Sequence, residues 1–414
     1  MRNYNVLIDG YNLRLKKGSG IKYYTISLIK ALEDDLNIKL LFDFNLNGSD
    51  KNKILLKTGF IEKYYNEAYV PKKLIEFRKI LKRYEFTFED QFFQGGTEKY
   101  LNNKEIINIP YLYRFMEGLS YKNLTYSLNI KNIDIFHTTY MLNLKVKNSK
   151  KITTIHDIIP LKLPHTTLDN KKNFYNKVKK AIKDSDKIIT ISEYSKKDIL
   201  ETFDVSEEKV VNCYQSYYLP DYLINANLRV DKFKLKKGDY FLFVGNIEPK
   251  KNVGRLIQAF LNLDRFCYKK LVIVGRKAWL WEELLKGTKK AIKKKKIILL
   301  DYVTREDLIA LYKNACAFVF PSLYEGFGLP PLEAMACKCP VITSNITSLP
   351  EVCKDAAIYC DPYSVISIQN AMGKILNLSE EERDLLINKG LERVEFFNEN
   401  DYKNRLLKVY DSVL

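Results

Sequence analysis

The residues best placed to do chemistry lie between Phe320 and Ala336, where Glu325 and Glu333 flank a turn that holds Gly326 and Gly328. Glycine lets the backbone bend tightly and approach a ligand with no Cβ in the way. Pro330 and Pro331 suit the first turn of a helix, because proline's φ is pre-set for it and the missing N–H is one that this turn leaves unpaired. The amides of Gly326, Phe327, Gly328 and Leu329 then fall at the positive end of that helix, where hydroxyl or phosphate oxygens are favoured. Glu325 stands at the loop mouth and Glu333 in the first helical turn, so one pocket could use both. The pattern equally fits a plainer arrangement, in which Glu333 complements the helix dipole and Glu325 is solvated.

A second group is Gly245-Asn246-Ile247-Glu248-Pro249-Lys250-Lys251-Asn252. It sets two lysines after a strand and before a helix N-terminus, which suits a diphosphate; alone, it also reads as an ordinary basic loop. His137, His156-Asp157 and Ser192-Glu193 each close a β-branched run. A lone histidine is more often structural, but His156 followed by an acid at a strand end is better placed than most.

These groups need strands to carry them. Val6 to Asp9 reads as a buried strand, followed by the turn Gly18-Ser19-Gly20 and a helix through Leu32; further strands are expected at Ile38–Phe44, Ile133–His137, Lys151–Asp157 and Lys187–Ser192. Residues 215–237 read as a linker. A second series follows: strand Tyr240–Gly245, a helix capped by Asn252, strand Lys270–Gly275, a helix from Trp279, strand Ile297–Val303, helix Arg305–Asn314, and strands at Cys316–Phe320, Val341–Thr343 and Ala357–Tyr359. Strands alternating with helices imply parallel sheets, and ligands bind beyond the carboxyl ends of such strands.

The 414 residues allow two domains of ordinary size. Seven scattered cysteines show neither metal-ligand spacing nor a disulfide framework, and Cys337 and Cys339 read as packing residues. The Asp184-Ser185-Asp186 triplet precedes its strand, the wrong place for a metal-binding motif. Residues 70–83 place Val70, Leu74, Phe77 and Leu81 at helical spacing among basic residues, a pattern able to lie on an anionic membrane surface; Lys286–Lys296 reads as a solvated face. No signal peptide or spanning segment is read, so a cytoplasmic protein is expected, with peripheral attachment to the membrane's inner face through residues 70–83. The net charge of +18 comes with no recognisable nucleic-acid module.

Taken together, Val244-Gly-Asn-Ile-Glu-Pro-Lys-Lys-Asn252, Leu271–Gly275, Phe318–Ala336, Pro340-Val-Ile-Thr343 and Leu349-Pro-Glu-Val352 resemble family 4 of the retaining glycosyltransferases. Thr154–Pro160 and Ile191–Ser195 extend the likeness into the first half; residues 45–130 show none. The resemblance implies the α/β GT-B architecture: two Rossmann-like domains facing each other across a cleft, residues 1–220 for the acceptor and 221–395 for the nucleotide sugar, with 396–414 returning to the first. It implies that Glu325 contacts the donor sugar near the reacting carbon, Glu333 holds the ribose hydroxyls, the Gly326, Phe327, Gly328 and Leu329 amides grip sugar and phosphate, Lys251 meets the diphosphate and His156 reaches the sugar. Lys250, Asn246, Gly20, Ser192 and Val303 complete the expected donor site, with no metal and no cofactor. Asn246 departs from the pattern, since many members carry an arginine there, and Lys22 stands where a second glycine is common.

The implied reaction is retaining transfer of a hexose from a nucleotide sugar to a glycan or lipid-linked glycan. Thr154–Pro160 with Glu248–Asn252 is most similar to members that use GDP-mannose for surface polysaccharides. A sugar-nucleotide epimerase of related shape and a non-catalytic partner subunit are the competing readings.

Overall fold

Short apolar runs become the interior strands of two parallel sheets. The computed structural model describes residues 4–14, 20–43, 84–87, 104–109, 111–120, 124–220, 222–223, 226, 228–263 and 268–414. The basic segment 70–83 and Gly18 and Ser19 of the expected glycine turn lie outside these residues.

The first sheet uses β1 (Asn5–Asp9), β2 (Asn37–Phe42), β3 (Tyr84–Thr87), β4 (Glu105–Asn108), β6 (Ile135–Thr138), β8 (Lys150–Thr154), β9 (Lys187–Thr190) and β10 (Val210–Asn212). Their order is β10-β9-β8-β6-β1-β2-β4-β3, parallel except for β3 against β4. A separate pair joins β5 (Tyr126–Leu128) to β7 (Leu144–Val146). Successive residues of β1 serve opposite faces, as period-two geometry requires: Val6 and Ile8 pack in one apolar cluster and Leu7 in another.

The second sheet uses β11 (Tyr240–Val244), β12 (Lys270–Val274), β13 (Ile297–Leu300), β14 (Ala317–Phe320), β15 (Val341–Ser344) and β16 (Ile358–Cys360). Every pairing is parallel, in the order β13-β12-β11-β14-β15-β16. Several expected strands end early. β8 stops at Thr154, which leaves His156 in the following loop, β9 stops at Thr190, and β13 stops at Leu300, so Val303 lies in a loop. The helix expected from Trp279 begins only at Trp281, because Leu280 takes a left-handed φ of 57°, and it ends at Leu284. Cys213, Cys316, Cys337, Cys339, Cys353 and Cys360 are buried and unpaired.

After the second sheet, helices Glu380–Phe396 and Glu399–Asp411 follow, and the latter packs on helix Gly20–Leu32 of the first domain. Its anchor is polar. The Tyr410 hydroxyl meets His137 Nδ1 at 2.6 Å, His137 Nε2 meets Thr154 Oγ1 at 2.8 Å, and Thr154 Oγ1 meets the Tyr24 hydroxyl at 2.8 Å. All four side chains are buried. His137 is therefore structural.

Burial lowers the His137 pKa to about 3. The unfolded chain binds a proton near pH 6.5 and the folded one does not, so acidification below that value favours unfolding until the folded group also titrates. At pH 5 the cost from this residue is about 2 kcal/mol, being about 1.5 pH units at ~1.4 kcal/mol each. The stability advantage of the wild type over His137→Asn, measured by urea unfolding, is expected to narrow by that amount between pH 7 and pH 5. An unchanged difference would show that His137 is not held neutral.

Candidate active site

The second sheet's order reverses direction between β11 and β14, so a crevice opens beyond the carboxyl ends of these neighbours. Both carry a site loop. After β11, Gly245 and Gly275 let two loops run side by side: a Cβ on Gly275 would lie 1.9 Å from the Gly245 carbonyl oxygen, and φ there is +155°. The chain then makes a tight turn at Pro249–Lys251, with Asn252 left-handed at φ 59°. Asn252 does not cap the next helix with its side chain, as the sequence suggested. Its amide instead donates to the Pro321 carbonyl (2.9 Å) and the Pro362 carbonyl (2.6 Å), and its oxygen accepts from Arg255. The Lys250 carbonyl accepts from the Leu323 amide, which fastens the lysine turn to the β14 loop.

This fastening brings Lys251 Nζ to 2.6 Å from Glu325 Oε1, and the Ser322 hydroxyl donates to the same oxygen at 2.6 Å. The two charged side chains are 15% and 12% exposed, and the ammonium sits 5.0 Å from the centre of the Phe320 ring. Lys250 Nζ lies 3.6 Å from Glu248. Burial pushes the Lys250 pKa down, but Glu325, Glu248 and Asp157 more than offset this and it ends above its ordinary value. Asp157 comes from the first domain. Burial raises its carboxyl, against the pull of Lys250.

Three successive carbonyls of the glycine loop are anchored. Ser348 Oγ lies 2.9 Å from the Glu325 carbonyl oxygen and 2.6 Å from that of Phe327, which share its one proton, while Ser192 and Ser195 donate to the Gly326 carbonyl at 2.7 and 3.1 Å. A trans peptide points its N–H opposite its C=O, so the Gly326, Phe327 and Gly328 amides face away from these anchors. Neither they nor the Leu329 amide donate to any acceptor among the described residues. The helix starts at Leu329, capped by Gly328 at φ 133°. Glu333 therefore falls in the second turn, not the first. Its Oε2 accepts from the Tyr312 hydroxyl at 3.1 Å, and burial raises its carboxyl against the opposing effects of Tyr312 and Arg305.

The first domain also meets this loop backbone to backbone, at Gly326. A Cβ on Gly326 would lie 2.7 Å from the His156 carbonyl oxygen and 2.9 Å from Asp157 Cβ. His156 Nε2 lies 3.1 Å from the Thr139 carbonyl, which can only accept, so Nε2 carries the proton and Nδ1 a lone pair. Burial lowers this imidazole to about 4, leaving it neutral at pH 7, and Tyr24 packs edge-on against it at 4.7 Å. Thr139 is itself held by buried Asp9, whose carboxylate accepts the Thr139 and Tyr11 amides and is raised by burial to about 6.

The structure thus brings together Glu325, Lys251, Lys250 and the glycine loop, with the His156 backbone against Gly326. Ser192 is committed elsewhere: it is buried, caps helix Glu193–Thr202 and grips Gly326. Gly20 opens helix Gly20–Leu32, and among the described residues no neighbouring atom lies within 4 Å of where a Cβ would be. Asn246 is exposed, and Val303 is half-buried beyond β13. Sequence reading set Asp157 at the ligand edge without giving it a role, and missed Ser322, Ser348, Tyr312, Ser195 and Asp9 as site residues. Asp157 and Asp9 sat at recognised strand ends; the hydroxyls act on groups distant in sequence and gave no local signal. Among the described residues, no cluster of three or more His, Cys, Asp or Glu could hold a metal ion.

Two family models match the chain: "Glycosyl transferases group 1" over residues 225–393 and "Glycosyltransferase Family 4" over residues 92–214. O-antigen chain mannosyltransferase B of Escherichia coli is 32% identical over 271 residues, 63% of this chain and 70% of that one. O-antigen chain mannosyltransferase RfbU of Salmonella typhimurium is 32% identical over 227 residues, 55% of this chain and 61% of that one. In fold the chain is similar to sucrose-phosphate synthase of Thermosynechococcus elongatus, at a TM-score of 0.66, 15% identity and 99% coverage of both chains. With its two parallel-sheet domains of GT-B type and the loops described above, the chain belongs to the group 1 and family 4 glycosyltransferases and is an enzyme of that family.

Proposed function

We propose that this enzyme transfers mannose from GDP-mannose, with retention at the anomeric carbon, to a hydroxyl of a glycan or lipid-linked glycan during surface polysaccharide synthesis. The observation that carries the reading is the Lys251–Glu325 pair at the switch point beside the unengaged glycine-loop amides. The donor lean also draws on the two relatives named O-antigen mannosyltransferases.

The chemistry follows from where charge develops. The bond from C1 to the β-phosphate oxygen breaks and its electron pair leaves with the phosphate, so fixed cations and amides aimed there lower the barrier. Lys251 turns from Glu325 to the diphosphate. Lys250, raised above its ordinary value, supplies a second cation where the family's arginine is replaced by Asn246. The acceptor oxygen bonds C1 on the face the phosphate leaves, and its proton passes to a β-phosphate oxygen. Glu325, released from Lys251, faces the sugar as its positive charge grows. Neutral His156 offers its Nδ1 lone pair to a sugar hydroxyl, and Glu333 accepts from the ribose hydroxyls. With these groups the transfer needs neither metal nor cofactor; the nucleotide sugar is a co-substrate.

Incubation with a panel of sugar nucleotides and a lipid-linked glycan acceptor is expected to release GDP from GDP-mannose, with an α-linked product by NMR. Absence of turnover with every donor would overturn the catalytic reading. Glu325→Ala is expected to lower kcat by about 100-fold or more while GDP binding changes little; an active variant would remove Glu325 from the mechanism. Among the described residues no helix is long and apolar enough to cross a membrane. Peripheral attachment through residues 70–83 predicts salt-sensitive sedimentation with anionic liposomes, and no sedimentation at low salt would exclude it.

A further inference from the structure

The first three amides of helix Glu193–Thr202 are satisfied in an unusual way. A helix leaves its first N–H groups unpaired, and a capping serine takes one of them. Here Ser192 accepts the Ser195 amide at 3.0 Å. The Glu193 and Tyr194 amides donate instead across the domain boundary to the two carboxylate oxygens of Glu351, at 2.7 and 3.0 Å. Glu351 sits in helix Leu349–Cys353 of the second domain, where Arg393 holds the Glu351 and Val352 carbonyls. The same helix end grips the second domain twice more: Ser192 and Ser195 hold the Gly326 carbonyl, and the Tyr194 ring packs edge-on against Tyr324 at 5.8 Å. Tyr324 and Gly326 are the two neighbours of Glu325.

We infer that Glu351 is a positioning residue: its carboxylate, seated on the N-terminus of helix Glu193–Thr202, clasps the two domains in the register that sets the Glu325 loop against His156. The inference rests on the glycosyl-transfer reading for its consequence in catalysis, not for the clasp itself. Two charge-assisted hydrogen bonds aligned with a helix dipole favour the clasped state. Because the Glu193 amide is exposed, water replaces the carboxylate when the domains part, so the clasp biases closure and still lets it reverse. The donor must enter and its nucleotide must leave by the same cleft, which a permanent bond would prevent.

Two variants break the clasp from opposite sides. Glu351→Gln removes the charge and one acceptor. Glu193→Pro removes the first amide at a position that tolerates proline, and Ser192, extended at φ −156° and ψ 159°, already has the backbone that precedes a proline. Glu193→Ala is the control, since it keeps the amide and removes the side chain, with its contact to Asn212. Both clasp variants are expected to lower kcat/KM for the donor about tenfold, with GDP affinity within about twofold of wild type and the thermal midpoint retained. Their radius of gyration by small-angle scattering, with and without GDP, is expected to exceed that of wild type and of the control, and the double variant to be no worse than the poorer single one. Wild-type scattering in both clasp variants, or wild-type kcat/KM in both, would overturn the inference. Scattering requires no turnover, so it judges the clasp even if the assigned donor is wrong.

Discussion

The site depends on a backbone contact that only glycine permits. At Gly326 the two domains approach until the position of a Cβ would fall 2.7 Å from the His156 carbonyl oxygen. Real Cβ atoms do not come that close to backbone oxygen, so any other residue would hold the domains apart. Because Gly326 follows Glu325 directly, this contact also sets how far the first domain stands from that carboxylate. The hydroxyls of Ser192 and Ser195 on the Gly326 carbonyl then orient the loop as well as bring it near.

Charge is the second constraint, and it explains why Lys251 and Glu325 are paired. Each is largely withdrawn from water, and a withdrawn charge left without a partner costs on the order of 3–5 kcal/mol. The pair and the Ser322 hydroxyl meet that need. Transfer as proposed requires an exchange of partners in which a diphosphate replaces Glu325 beside Lys251 and sugar hydroxyls replace Lys251 beside Glu325. Either half alone would strand a charge, which couples recognition of the two ends of the donor.

The second domain was the more legible in sequence. Tyr240–Val244 and Ala317–Phe320 are unbroken apolar runs closed by glycine or proline, so strand, loop and helix followed from local rules. Boundaries were harder wherever one residue's backbone decided them. Gly328 starts the helix earlier than the prolines suggested and moves Glu333 into its second turn; left-handed Leu280 delays the start of the helix expected from Trp279. Asn252 looked like a cap because its type and place fit one, yet the carbonyls of two loops and the guanidinium of Arg255 compete for its side chain and prevail. The clasp left no local trace. Glu351 and Glu193 stand 158 residues apart, and a carboxylate early in one helix looks complete without a second helix to receive it.

The last feature is an asymmetry of charge between the walls of the cleft. Burial acts on His156 and Lys250 alike, favouring the neutral form of each. His156 has as partners a carbonyl and the edge of an aromatic ring, neither of which favours its proton enough, and it stays neutral. Lys250 faces Glu325, Glu248 and Asp157, and stays charged. Among these groups, the cations therefore all belong to the second domain, while the first contributes a neutral imidazole and the Asp157 carboxyl. A leaving diphosphate would be held on the cationic wall, and a sugar developing positive charge would have Glu325 and a neutral lone pair beside it. In the proposed transfer a protonated His156 would oppose that charge separation, so burying this histidine without an acidic partner would favour the same transition state that Lys250 and Lys251 would favour from the other side.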